Sequence, residues 1–158
     1  MISMNVEYTT LEDMQSWAKG VMSRDPDFIV GDNQLRRWWI IPRNEWGNVY
    51  LHEVLKSDDD RALHDHPWAN TSIILFGEYI DVTPDGEFQR KAGDVIHRKA
   101  ADSHRLVVPE GGRAISLFTT GPWERDWGFH CPKGWVYWKD FTNPENYGEV
   151  GRGCGEHG

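Results

Sequence analysis

Apolar and polar positions follow two different periods along this chain. Leu11, Met14, Ala18, Val21 and Met22 recur at helical spacing, with Trp17 alongside. Thr10 stands where an N-cap belongs and Asp13 follows three residues later, a variant of the capping box. Asp25-Pro26 ends the pattern, because the residue before proline resists the α conformation. The spacing predicts one helix over about 10–23.

Beyond Pro26 the period shortens to that of strands. Short β-type runs cover Phe28–Gly31, Arg36–Ile41, Val49–Leu55, Ala62–His66, Thr71–Tyr79, Ile80–Val82, Glu87–Lys91, Asp94–Arg98, His104–Val108, Arg113–Thr119, Trp127–Cys131 and Trp135–Trp138. Pro84-Asp85-Gly86, Ala92-Gly93-Asp94 and Pro109-Glu110-Gly111-Gly112 supply turn chemistry between them. Many short strands without intervening helices indicate a sandwich or barrel rather than a parallel α/β sheet. No repeat, linker or break in composition divides the chain, so a single domain is expected, with a barrel over about 28–140 and a glycine-rich tail over 148–158.

Composition narrows the function classes. The 158 residues suffice for a core, and a net charge of −8 argues against a nucleic-acid binder, since phosphate contacts need a basic face. No apolar run is long enough to span a bilayer. Met1-Ile2-Ser3-Met4-Asn5 has neither the basic start nor the apolar core of a signal peptide. Two cysteines, Cys131 and Cys154, are too few for a disulfide framework, so a reduced, cytoplasmic setting is the expectation. Nine tryptophans are many for this length and suit an aromatic-lined pocket or an interface.

The chemistry concentrates in Leu63-His64-Asp65-His66-Pro67-Trp68-Ala69-Asn70, which follows the acidic turn Asp58-Asp59-Asp60-Arg61. On a strand, residues i and i+2 share a face, so His64 and His66 look into the same space while Asp65 looks away. His104, a hairpin-sized interval later, can join them, and three imidazoles aimed at one space outline a transition-metal site. Ligating histidines want their second ring nitrogen held, and Asp94 and Asp102 are candidates for that. Asn70 offers a carbonyl oxygen as a weak fourth ligand or an orienter of bound water. His52 shares a strand face with Tyr50 and Val54 and is a candidate proton carrier. Trp68 is the ring expected beside the metal. Among the arginines, Arg98 and Arg113 are favoured over Arg105 and Arg125 as anchors for an anionic group. His97 stays outside the ligand set because either face of its strand can point inward. His130-Cys131 reads as a strand end. Cys154 and His157 belong to a mobile tail, with a flap over the barrel mouth as the alternative.

The spacing resembles the two motifs of the cupin superfamily. His64-x-His66 is followed by Asn70 in the acidic ligand's place and then by Gly77; Gly93-Asp94 leads through a turn to His104. The stretch from Asp58 to Trp68, with Arg125-x-Trp127-Gly128-Phe129 and Gly134-Trp135-Val136-x-Trp138, is similar to small cupin-like proteins of phage and bacterial genomes. The resemblance implies an all-β fold, a cupin-type double-stranded β-helix or jelly roll, with an N-terminal helix and an aromatic-rich C-terminal extension. It implies His64, His66 and His104 as ligands of a divalent transition metal, Fe(II) first, with Zn, Ni or Mn as alternatives. Thiol dioxygenases of that superfamily use three-histidine iron sites, so an iron-dependent oxygenase acting on a small polar molecule is the leading expectation. A non-enzymatic cupin binding a nucleotide or sugar derivative is the second. A metal-dependent isomerase or epimerase, using His52 or Tyr79 as base, is the third. Cupins that pair through sheet edges make a homodimer the expected assembly.

Overall fold

The computed structural model describes residues 9–58 and 62–155. Asp59, Asp60 and Arg61 of the acidic turn, the N-terminal Met1–Asn5, and Glu156 and His157 of the tail lie outside those residues. Helix α1 (Leu11–Val21) opens on the predicted cap: Thr10 Oγ1 accepts from the Asp13 amide while the Asp13 carboxylate accepts from the Thr10 amide.

Strands β1 (Phe28–Val30), β2 (Leu35–Trp39), β3 (Asn48–Val54) and β4 (Leu63–His64) precede the long β5 (Asn70–Thr83). Then come β6 (Gly86–Lys91), β7 (Val95–Arg98), β8 (Arg105–Val107), β9 (Ala114–Thr120), β10 (Gly128–Cys131) and β11 (Gly134–Tyr137). A short helix α2 (Trp138–Phe141) and the hairpin β12 (Thr142–Asn143) and β13 (Asn146–Val150) close the described chain. The pairing is antiparallel throughout, in the order β1-β2-β3-β9-β5-β6, with β7 and β8 also on β5; β11-β10-β4 form a second sheet.

β5 is the spine. Its first half pairs with β7 and β9, its second half with β6 and β8, so one strand serves both walls. The predicted break between Tyr79 and Ile80 is absent. The strand instead runs on through a register shift between Ile74 and Phe76 to Gly77, whose backbone φ is +70°. A side chain there would collide with the carbonyl oxygen of Arg113, so only glycine fits at that point.

Alternation along the strands sorts two apolar layers. Leu51, Leu75 and Ile115 face α1 and its Ala18, with Trp38. Val54, Ile74, Tyr79, Ile96 and Val108 fill the interior. A third cluster joins Phe129 and Phe141 with Trp127 and Trp138. Among the described residues no helix is long and apolar enough to cross a membrane.

The C-terminal segment departs from expectation. Cys131 and Cys154 are joined in a disulfide across 5.5 Å between Cα atoms. Gly151 and Gly153 donate their amides to the Phe141 carbonyl, and Gly148 packs against the Gly31 backbone with no room for a side chain of its own. The residues read as a mobile tail are thus tied down through residue 155. Two cysteines need no framework when a hairpin brings them to bonding distance.

Candidate metal centre

The site begins with a backbone bridge. His64 N donates to His104 O at 2.8 Å and His104 N to His64 O at 2.9 Å. Residues paired this way present side chains on the same face, close together. His66, two residues on, is held by its amide on Ala100 O at 3.0 Å. The three ring centroids then stand 4.8–5.2 Å apart, and one ligand nitrogen from each histidine lies within 4.8 Å of the others. All three rings line a cavity of about 550 Å³.

What surrounds the rings decides their protonation. His104 Nδ1 donates to Asp81 Oδ1 at 2.7 Å, which leaves the Nε2 lone pair of His104 free. Asp81 is fully buried on β5 and also accepts from Arg98 at 2.7 Å and Arg90 at 3.1 Å. Burial alone would raise the Asp81 pKa, but the hydrogen bond from His104 and the charge of Arg98 outweigh it and hold the carboxyl well below its usual range. Burial pushes the His64 pKa down to about 4, with the Asp58 carboxylate at 3.8 Å opposing and His104 and Arg98 adding to it. Burial and the neighbouring His64 take His66 well below its ordinary value. His64 and His66 are therefore neutral near pH 7, the form that ligates metal. His66 Nδ1 is buried without a hydrogen-bond partner among the described residues. Three converging imidazoles and an orphaned ring nitrogen fit a first-row transition metal and do not fit Mg²⁺ or Ca²⁺, which take oxygen ligands.

Asp65 serves a different purpose. Buried, it accepts from the Gly128 amide at 2.8 Å and from Trp135 Nε1 at 3.0 Å, and pairs with Arg125 and His130 at 2.9 Å. The side chain that turns away from the cavity thus fastens β10 and β11 to β4, and aligns Phe129 opposite His64. Burial would raise its pKa; Arg125, the Gly128 amide and His130 together lower it.

Trp68 lines the cavity and stacks on His66 at 5.5 Å, with Phe118 edge-on to it at 5.6 Å. His97 is exposed and hydrogen-bonded to Thr71, while Ile96 and Arg98 point inward. Several expected roles need correction. Asp94 and Asp102 do not support the histidines; each accepts a backbone amide in an exposed turn, from Lys91 and Lys99. Asn70 is buried but lies outside the cavity wall that carries the histidines; its amide donates to Trp68 O at 3.4 Å and its Oδ1 has no partner. Arg113 does not line the cavity; its largely exposed guanidinium pairs with Glu53, on the strand face that carries Leu51. Arg98 does line it, committed to Asp81 and Ser72. His52 lines it too, but its Nε2 accepts from Arg37 Nε at 2.9 Å, and burial with that neighbouring charge takes its pKa well below 6.5. That contact orients the arginine. Cys154 is held by Cys131, at the edge of the aromatic cluster.

Sequence reasoning missed Asp81, Asp58 and Arg37. Asp81 had one signal: a charged residue inside an apolar strand, two residues from Tyr79 on the same face.

No protein-family model and no curated protein matches the chain. Solved structures do. The polyketide cyclase RemF from Streptomyces resistomycificus aligns at 19% identity and a TM-score of 0.50, over 62% of this chain and 69% of that one. The DMSP lyase DddQ from Ruegeria pomeroyi aligns at 14% and 0.51, over 65% of this chain and 54% of that one. An uncharacterised protein with a double-stranded β-helix domain from Klebsiella pneumoniae aligns at 18% and 0.50, over 63% and 86%. At these identities the likeness speaks for architecture, and it agrees with the pairing around β5: the chain has a double-stranded β-helix fold.

Proposed function

We propose that this chain is a metal-dependent enzyme acting on a small molecule held in the cavity, and that ferrous iron and dioxygen chemistry is its first candidate activity. One observation carries the reading: three histidine nitrogens converge within 4.8 Å on a cavity wall, with no carboxylate among them. Ferrous iron on three neutral imidazoles would supply redox chemistry toward dioxygen and Lewis acidity at open coordination positions.

The chain's own residues do the rest. Asp81 fixes His104 so that its Nε2 lone pair is free for the metal. Trp68, Phe118 and Trp127 make much of the wall apolar and exclude water. That favours a substrate with a flat apolar body over the small polar one expected from sequence. Tyr79 lines the same cavity; burial raises its pKa, against the opposing charge of Arg98, so its hydroxyl keeps its proton and can donate one. With His52 occupied by Arg37, an isomerase or epimerase is left with Tyr79 alone of the two bases that sequence offered it.

The test is metal analysis of protein purified without chelator, with His64→Ala and His104→Ala beside it. Both variants should lose the metal; full retention in both would place the metal elsewhere. Oxygen uptake in the presence of ferrous iron, across thiols and aromatic carboxylates, then tests the activity. A loaded centre that consumes no oxygen with any of them would remove the oxygenase reading and leave a metal centre for non-redox chemistry.

A further inference from the structure

The wall of the cavity built by β1, β2, β3 and β9 carries charge that the protein does not neutralise. The strand register places Phe28 opposite Arg37, Arg37 opposite His52, and His52 opposite Ser116, and all four line the cavity. Arg37 is fixed from two directions. Its Nε donates to His52 Nε2 at 2.9 Å, and its guanidinium carbon sits 4.4 Å from the Tyr50 ring centroid. These contacts leave the two Nη groups, and among the described residues neither has a hydrogen-bond acceptor.

Three arginines line the cavity. Arg98 is matched by Asp81. Arg37 and Arg43 have no carboxylate within ion-pair distance among the described residues. Two carboxylates line the cavity as well. Asp58 is committed to Gln34, to the Leu106 amide and toward His64; Glu149 reaches neither arginine. In a chain of net charge −8, acidic side chains are plentiful, yet among the described residues none pairs with these two arginines. Keeping a guanidinium half-buried without a counter-ion costs stability, and its planar fork matches a carboxylate bidentately. Burial lowers the Arg37 pKa, but an arginine stays cationic at neutral pH.

A continuous row of rings links this charge to the histidines. His52 stacks on Phe118 at 4.8 Å, Phe118 meets Trp68 edge-on at 5.6 Å, and Trp68 stacks on His66 at 5.5 Å. We propose that the ligand of this cavity is a small organic carboxylate: its carboxylate sits on the Nη edge of Arg37, with Arg43 as a second cation at the mouth, its apolar body lies along Phe118 and Trp68, and its far end meets the three histidines. This rests on the reading of the cavity as the functional site and not on the metal being present.

The test titrates the full chain with 3-phenylpropionate and with its neutral amide, by calorimetry and by thermal shift. The acid should bind and raise Tm, and the amide should not. Arg37→Met should weaken binding roughly 10- to 100-fold, as loss of a charged hydrogen-bonded pair does. Arg43→Gln should weaken it only severalfold. Should Arg37→Met fail to fold, Arg37→Lys keeps the charge, loses the fork, and should still weaken binding by about 10-fold. The His64→Ala, His104→Ala double variant removes only the contact at the far end and should weaken binding less than Arg37→Met does. Equal binding of acid and amide, binding of neither, or wild-type affinity in both Arg37 variants would overturn the anchor. Binding lost in the histidine variant and kept in Arg37→Met would put the carboxylate on the histidine centre, overturning the anchor while leaving the metal reading intact. A metal-free wild type with Arg37-dependent binding would do the reverse.

Discussion

Arg98 and Arg37 line one cavity from opposite sides of its chemistry, and the fold treats them differently. Arg98 is held to a fully buried carboxylate at 2.7 Å, which also receives His104 and Arg90. Arg37 is positioned just as firmly, by a neutral histidine and an aromatic face, and given no counter-charge among the described residues. The first is part of the protein's own electrostatic balance. The second is balanced only when something else enters. The contrast separates the charge that builds a site from the charge that waits for a ligand, and proximity to the histidines alone would have misled: Arg98 was, with Arg113, one of the two arginines that sequence favoured.

The largest expected effect tests the balanced side. Asp81→Ala leaves three positive or proton-donating partners facing a void. Removing one partner of a buried ion network costs about 3–5 kcal/mol, and urea unfolding should show it. Loss of the orienting hydrogen bond should also weaken metal binding by roughly 10- to 100-fold. Arg37→Met, in contrast, removes an uncompensated charge and should change stability by less than about 1 kcal/mol in buffer free of carboxylates. If the two substitutions cost the same, the distinction between the walls is false.

The next effect concerns the piece that joins the walls. The disulfide anchors the C-terminal hairpin to β10, whose Phe129 pairs opposite His64, while Gly148 of the hairpin packs on Gly31 next to β1. Replacing both cysteines by serine releases a loop with a sequence separation of 23. Chain-entropy reasoning puts the loss at about 3 kcal/mol. The separation of roles predicts an asymmetric result: 3-phenylpropionate binding weakens severalfold while metal content holds, because the histidines are bridged by their own backbones. Calorimetry and metal analysis on one preparation would show it. Loss of both together would mean that the hairpin supports the histidines as well.

How far the sequence revealed this depends on the range of each interaction. The helix with its cap follows from local spacing, and so does the shared space of His64 and His66, although the strand itself ends at His64. His104 was readable as a partner because its spacing resembles a known pattern. Asp81 was not, because its ties to His104 and Arg98 are 23 and 17 residues away and depend on β5 running on through Gly77 to serve both walls. The disulfide was hidden for the same reason: glycine-rich sequence reads as mobile until a hairpin pairs it. Arg37 escaped because an unpaired arginine looks like any surface arginine until every neighbour is known. Sequence showed where donors stand, and the fold was needed to show which remain unmatched.

The smallest effect is a pH dependence that orders the two walls. His52 has a folded pKa well below its ordinary 6.5, from burial and then Arg37. Between those two values the unfolded chain binds a proton that the folded chain refuses, so stability falls as pH drops from about 6.5 and levels off once the folded pKa is passed. Asp81 also sits below its ordinary value, 3.8, so its contribution is complete above that pH and is lost only as pH falls further. Acid therefore weakens the arginine wall first and the Asp81 network later. His64 and His66 share the upper window in metal-free protein, so the comparison is wild type against His52→Gln in the same metal state. Glutamine still offers Arg37 an acceptor but does not titrate. Between about pH 6.5 and 4.5, urea unfolding of the variant should show a shallower decline, by up to roughly 1.4 kcal/mol per pH unit. Superimposable curves would mean that folded His52 takes up its proton as readily as the unfolded chain does. Nε2 would then not be accepting from Arg37, and the Nη edge that faces the cavity would have lost the contact that aims it.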